Sequence, residues 1–319
     1  MTELRLTGLD AQNPLGFMAS LGLLKVLTEA AKQAGLAAPT LSFDEATCEP
    51  SIRTGHGIEG IIETVLNDAR EQLQSVPIRF GYDDDGNSVD AAFPATGFTR
   101  DLKPSLRAAR ALMVRVARGG RRDADLVAGF FSDIVQQATG DIGGERPAKP
   151  TAFHFTSGQQ TFLKMACELA NGVTQDDLRE ALVGPWRGES SLPSFAWDSS
   201  STRMYALRAD NPSTNARGSI AAANWLAFQA LSFFPVKVRR GQLVTTALTG
   251  GWKDSVFTWP IWTVPLSARV VGSLLQIEVR FLRQREREAM GLANVFQSRL
   301  QRPDKYGSFS PASVLIPAK

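Results

Sequence analysis

Two stretches of this chain predict helices that are apolar on nearly every face, and they constrain the fold more than any other feature. Residues 15–35, LGFMASLGLLKVLTEAAKQAG, follow an N-cap signal at Asn13 and a first-turn proline at Pro14, and Gly35 closes them. The first half of that helix has almost no polar side. Residues 219–234, SIAAANWLAFQALSFF, form a second apolar helix ended by Pro235. A helix without a polar stripe has to be enclosed by other elements. The 319 residues supply the material for such a core, being 43 % hydrophobic with 18 Phe and 6 Trp, which excludes wholesale disorder.

Around these helices, periodicity and punctuation predict an α+β fold, helix-led with short antiparallel strands, built as one large or two closely packed domains. Residues 3–7 alternate like a strand. Helices are expected at 58–73, from near Pro104 to Gly119, at 123–140, and as two shorter segments within 158–172 and 174–184. Strand signals lie at 152–158, 242–250 and 255–262, the last two suggesting a hairpin. Residues 270–282 read as strand or helix, and 285–302 as helix. The segment DIGGERPAKP (141–150) is the clearest linker, separating a helical/α+β region at 1–140 from an α+β region at 151–319 with aromatic- and Arg-rich loops.

The stock of catalytic side chains is thin. Cys48 and Cys167 are the only cysteines and His56 and His154 the only histidines. That excludes a disulfide framework and a cysteine-based zinc cluster, and neither histidine sits in a recognisable catalytic context. The acidic stretch GYDDDGNSVD, with Asp83, Asp84, Asp85 and Asp90, has the carboxylates and glycine of a calcium loop. It lacks the alternating ligand spacing and the terminal Glu, so an exposed turn is the better reading. No metal, no cofactor and no enzymatic activity is expected. The basic-then-apolar order of a signal peptide is missing from MTELRLTGLD, and no uncharged run reaches bilayer length, which predicts a cytoplasmic protein with no membrane partner.

Charge is distributed unevenly. Formal net charge is +3, yet residues 1–160 carry 16 basic and 20 acidic side chains while residues 161–319 carry 19 and 12. The local contrast is sharper still: residues 98–122 hold 8 basic side chains and one acidic. On a helical wheel Lys103, Arg107, Arg110, Arg115 and Arg118 share an arc of about 140°. Leu106, Ala109, Leu112, Met113, Val116 and Ala117 occupy the opposite side. A purely cationic face gains no i,i+4 ion pairs and carries like-charge repulsion, so it calls for neutralisation. Phosphate is the favoured partner, with Arg121 and Arg122 extending the track. Pairing with the acidic segments 59–71 or 83–90 and a membrane-surface role are the alternatives. A second basic region holds Arg203, Arg208, Arg217, Lys237, Arg239 and Arg240. The aromatics interleaved with it, Tyr205, Trp225, Phe228, Phe233 and Phe234, suggest a stacking platform for single strands, although core packing is the better reading for Phe233 and Phe234.

The segments LTGLDAQNPLGFMASLGLLKVL, FTSGQQTFLKMACELA, FAWDSSSTRMYALRADNPS and AAANWLAFQALSFFPV, followed by FTWPIW, resemble the small form of the large-subunit family of type I-G (formerly I-U) CRISPR effector complexes. The resemblance runs over roughly residues 4–266. It implies a non-catalytic subunit of a crRNA-guided surveillance (Cascade) ribonucleoprotein in antiviral defence. Such a subunit helps recognise the protospacer-adjacent motif, supports DNA strand separation and offers a landing surface for the helicase-nuclease. Its partners are crRNA, double-stranded target DNA and the backbone and crRNA-end subunits. In that setting the polar loop Thr156, Ser157, Gly158, Gln159 and Gln160 has backbone donors for phosphate and amides able to read base edges, although an ordinary helix cap is the stronger reading. Trp225 and Asn224 are wedge candidates for which a structural role is the stronger reading. A metal-dependent phosphoryl-transfer enzyme using the Asp83–Asp90 stretch and a protein-protein scaffold remain the competing classes.

Overall fold

A computed structural model describes residues 1–83, 87–88, 91, 93, 100–135, 145–155, 161–201, 219–302 and 307–317. The chain opens with β1 (Thr2–Arg5) and the long apolar helix α1 (Pro14–Gln33). The Asn13 side chain accepts the Leu15 N–H at 3.0 Å, so the sequence cap works as expected. The strands β2 (Thr40–Phe43) and β3 (Pro50–Thr54) follow, then α2 (Ile58–Gln72) and the single turn α3 (Val76–Arg79). Next come α4 (Leu106–Arg118) and α5 (Arg121–Ala128), succeeded by the paired strands β4 (Phe131–Val135) and β5 (Ala148–Pro150).

In the second half α6 (Phe162–Gly172) and α7 (Gln175–Val183) lead through an extended segment to the second apolar helix, α8 (Ala221–Gln229). A hairpin of β6 (Val236–Arg239) and β7 (Gln242–Thr245) follows it. Then come β8 (Leu248–Thr249), β9 (Val256–Trp262), β10 (Leu266–Ser267) and α9 (Ala268–Leu274). The chain finishes with α10 (Gln284–Ala289), β11 (Leu292–Gln301), β12 (Ser308–Phe309) and β13 (Ser313–Ile316). Sheets and helices of both halves make this an α+β fold with antiparallel strand pairing throughout the described residues.

The two apolar helices meet each other. An added Cβ on Gly22 of α1 would lie 1.7 Å from the Leu226 carbonyl oxygen of α8, so only glycine permits this backbone approach. Sheet and helix layers close around the pair. One sheet has the order β1-β3-β2-β10, its last strand arriving from residue 266; the other runs β12-β11-β9-β8, with β13 also on β11. Indole N–H groups of β9 tie the layers together, Trp259 donating to the Ala11 carbonyl and Trp262 to that of Leu41, both at 2.8 Å. By length and composition α1 would suffice to cross a membrane, but 83 % of that stretch is buried inside the fold.

Several expectations change. The helix expected at 123–140 stops at Ala128, and Phe131–Val135 is a strand held by β5. The expected linker therefore ends in structure: its last residues form β5, with Ala148 and Pro150 buried. Residues 151–155 are turn rather than strand. Most of the helix expected at 285–302 is the ten-residue strand β11, because pairing with β9 and β13 outweighs local propensity. The undecided 270–282 segment is α9 followed by a 3-10 turn at Val279–Phe281.

Candidate nucleic-acid interface

Ser105 caps α4 by accepting the Ala108 N–H, and the Glu145 carboxylate accepts the Arg107 backbone N–H at 3.1 Å. An anion at this end suits the positive pole of the helix dipole. Ala108, Ala109, Leu112 and Val116 are buried, which turns the cationic arc outward. Arg107, Arg110, Arg115 and Arg118 are all exposed. Among the described residues, Arg107, Arg110 and Arg118 form no ion pair. The side opposite the arginines is only partly covered. Met113 is half-buried and Ala117 exposed, lining an open groove with α5, β4 and β6.

The flanking cations divide. Lys103 is half-buried beside Asp101 at 3.7 Å. Arg121 is 83 % exposed and touches Asp125 only at 3.8 Å, so it continues the outward track. Arg122 does not. Its guanidinium turns inward to Asp68 of α2 at 2.5 Å and reaches Gln229 of α8 at 3.4 Å, locking α5 against the core. Burial pushes the Asp68 carboxyl up and Arg122 pulls it back down; the net direction is upward.

In the second basic region the β6–β7 turn is a two-residue hairpin with positive φ at both Arg240 (52°) and Gly241 (71°). Strand alternation then assigns its side chains to opposite faces. Val236 and Val238 face the groove beside α4, which Arg110 also lines, whereas Lys237 and Arg239 line a separate cleft against the α9 end. The structure thus brings the hairpin next to α4 but points its cations elsewhere. Lys237 donates to the Gln276 side chain, and Arg239 and Arg240 are exposed.

The described aromatics of this region do not join these cations. Trp225, Phe228, Phe233 and Phe234 are buried, which agrees with the core reading of Phe233 and Phe234 and the structural reading of Trp225 and removes these four from any stacking platform; ring contacts join Trp225 to Phe228, Phe228 to Phe195, and Phe234 to Phe153 and Phe257. Asn224 is buried too, accepting the Phe195 N–H at 3.0 Å. Thr156, Ser157, Gly158, Gln159 and Gln160 lie outside the described residues, as do Arg203, Tyr205, Arg208 and Arg217. One exposed aromatic that sequence reasoning passed over is Phe281, inside the undecided 270–282 segment.

Two of the reactive groups, His154 and Cys48, are enclosed by the fold. His154 is buried under Phe162, and its Nε2 meets Asp101 Oδ1 at 2.6 Å. Burial lowers the imidazole pKa against the pull of Asp101, which favours the neutral ring. Burial raises the Cys48 thiol to about 11, leaving no thiolate at neutral pH. Asp83 accepts the Asn87 N–H at 2.8 Å in a local turn, while Asp84, Asp85 and Asp90 lie outside the described residues. No group of three or more metal-ligating side chains forms among the described residues. In comparisons with known proteins, no family model matches the chain and no curated protein does.

Proposed function

We propose that this chain is a non-catalytic nucleic-acid-binding subunit of a type I CRISPR crRNA-guided surveillance complex. It helps recognise the protospacer-adjacent motif in duplex DNA, supports strand separation and presents a surface to the helicase-nuclease. Arg107, Arg110 and Arg118 hold backbone phosphates, with Arg115 and Arg121 at the margins of the same track. Sequence in the target is read mainly by the guide, and the protein contributes charge and shape.

The observation that carries this reading is the outward cationic face of α4, whose Arg107, Arg110 and Arg118 lack ion partners among the described residues. Guanidinium forks on a rigid helix suit bidentate phosphate contacts. The resemblance of the N-terminal and central segments to the type I-G large-subunit family supplies the biological setting.

Replacing Arg107, Arg110 and Arg118 together by Glu tests it. The expected result is loss of duplex DNA affinity by at least about tenfold, with the slope of log affinity against log salt flattened by about three units. The residues are exposed, so thermal stability should hold. Unchanged affinity and slope, or a tagged chain that recovers no crRNA-containing complex from its native cell, would overturn the reading.

A further inference from the structure

Phe281 is 72 % exposed, an unusual position for a large aromatic in a chain that buries most of its aromatic rings. It ends a 3-10 turn between α9 and α10. The turn is firmly seated: Val279 is buried, the Phe281 N–H bonds to the Glu278 carbonyl at 3.0 Å, and Arg287 donates to the Leu282 carbonyl at 2.6 Å. A rigid backbone thus holds the ring in solvent.

Beside the ring, Arg280 leads to a cleft that mixes cations and hydroxyls with apolar side chains. The Arg280 guanidinium carbon lies 4.7 Å from the Phe281 ring centroid. Arg280 also lines the cleft of about 250 Å³ that receives Lys237 and Arg239 from the hairpin, together with Thr246 and Thr249. Glu278 is the acidic side chain of this cleft, and Arg280 engages it at 3.1 Å. An aromatic face beside cations able to hold phosphate is the arrangement that captures unpaired bases. A duplex offers no free base face to such a ring.

We infer that Phe281 is a stacking platform for an unpaired base of single-stranded nucleic acid, with Lys237, Arg239 and Arg280 holding the adjacent phosphates. This rests on the reading of the chain as a nucleic-acid-binding protein and adds a second site, distinct from the α4 face, that takes single rather than double strands.

The test compares an oligo(dT) of about ten nucleotides with an abasic oligomer of equal length, binding the full chain at fixed salt. The native chain should prefer the oligo(dT) by about tenfold. Phe281→Leu, which keeps bulk but removes the π face, should abolish that preference, and Phe281→Trp should preserve it. Because Phe281 is exposed, both variants should fold. If Phe281→Leu keeps the full preference, or the native chain binds both oligomers equally, the stacking site is wrong while cationic binding stands. If the chain binds neither oligomer, the inference falls, and the functional reading stands or falls separately on duplex affinity.

Discussion

Arg121 and Arg122 are neighbours in sequence with opposite fates. Both follow the two glycines that end α4, and sequence reasoning placed both on one phosphate track. The α5 helix rotates successive residues by about 100°, so one guanidinium meets solvent and the other meets Asp68. Only 14 % of the Arg122 side chain and 8 % of the Asp68 side chain remain exposed. Breaking a buried pair strands the surviving charge, so Arg122→Ala should cost about 3 kcal/mol in urea denaturation, against less than about 0.5 kcal/mol for Arg121→Ala. Burial already raises the Asp68 pKa, and losing Arg122 raises it further. The variant's deficit should therefore shrink as pH falls and Asp68 takes up a proton. Equal deficits for the two arginines would contradict the inward placement.

At the scale of elements, the amphipathic helix α4 was legible because its cations and apolar residues segregate at helical spacing, a pattern strong enough to read without contacts. The strand β11 was not. Its Leu292–Gln301 segment mixes Asn, Gln, Ser and Arg among apolar residues, and its identity comes from β9 and β13 on either side. The crossing of α1 and α8 shows the same limit in another form. Both helices announce burial, but the close approach at Gly22 depends on which residue of the other helix lies opposite. Gly22→Ala forces the Leu226 carbonyl away, and a loss of about 3 kcal/mol or more is expected by chemical denaturation. A change within about 0.5 kcal/mol would mean the helices are not in such contact.

Over the whole molecule, one apolar cluster runs from Leu6 to Phe309 and draws on both halves of the chain. The strand β10 completes the N-terminal sheet, and two indoles of β9 bond to the Ala11 and Leu41 carbonyls. Shared burial of this kind couples the halves in unfolding. All six tryptophans lie between residues 186 and 262, so their fluorescence reports the C-terminal half and, through Trp259 and Trp262, its seam with the N-terminal half, while far-UV circular dichroism reports helices in both. The two signals should give coincident urea midpoints. Separate midpoints would indicate two independently stable units.

Local pattern alone determined the helix-led α+β class, the two enclosed helices, the Asn13 cap and the outward cationic arc of α4, since each rests on residues within a few turns of one another. Tertiary structure decided the rest: that Arg122 turns inward to Asp68, that Lys237 and Arg239 face away from α4, and that Phe281 stands exposed beside Arg280. Whether an aromatic is core or surface, and which way a strand turns its cations, depends on neighbours distant in sequence. Periodicity along one segment holds no record of them.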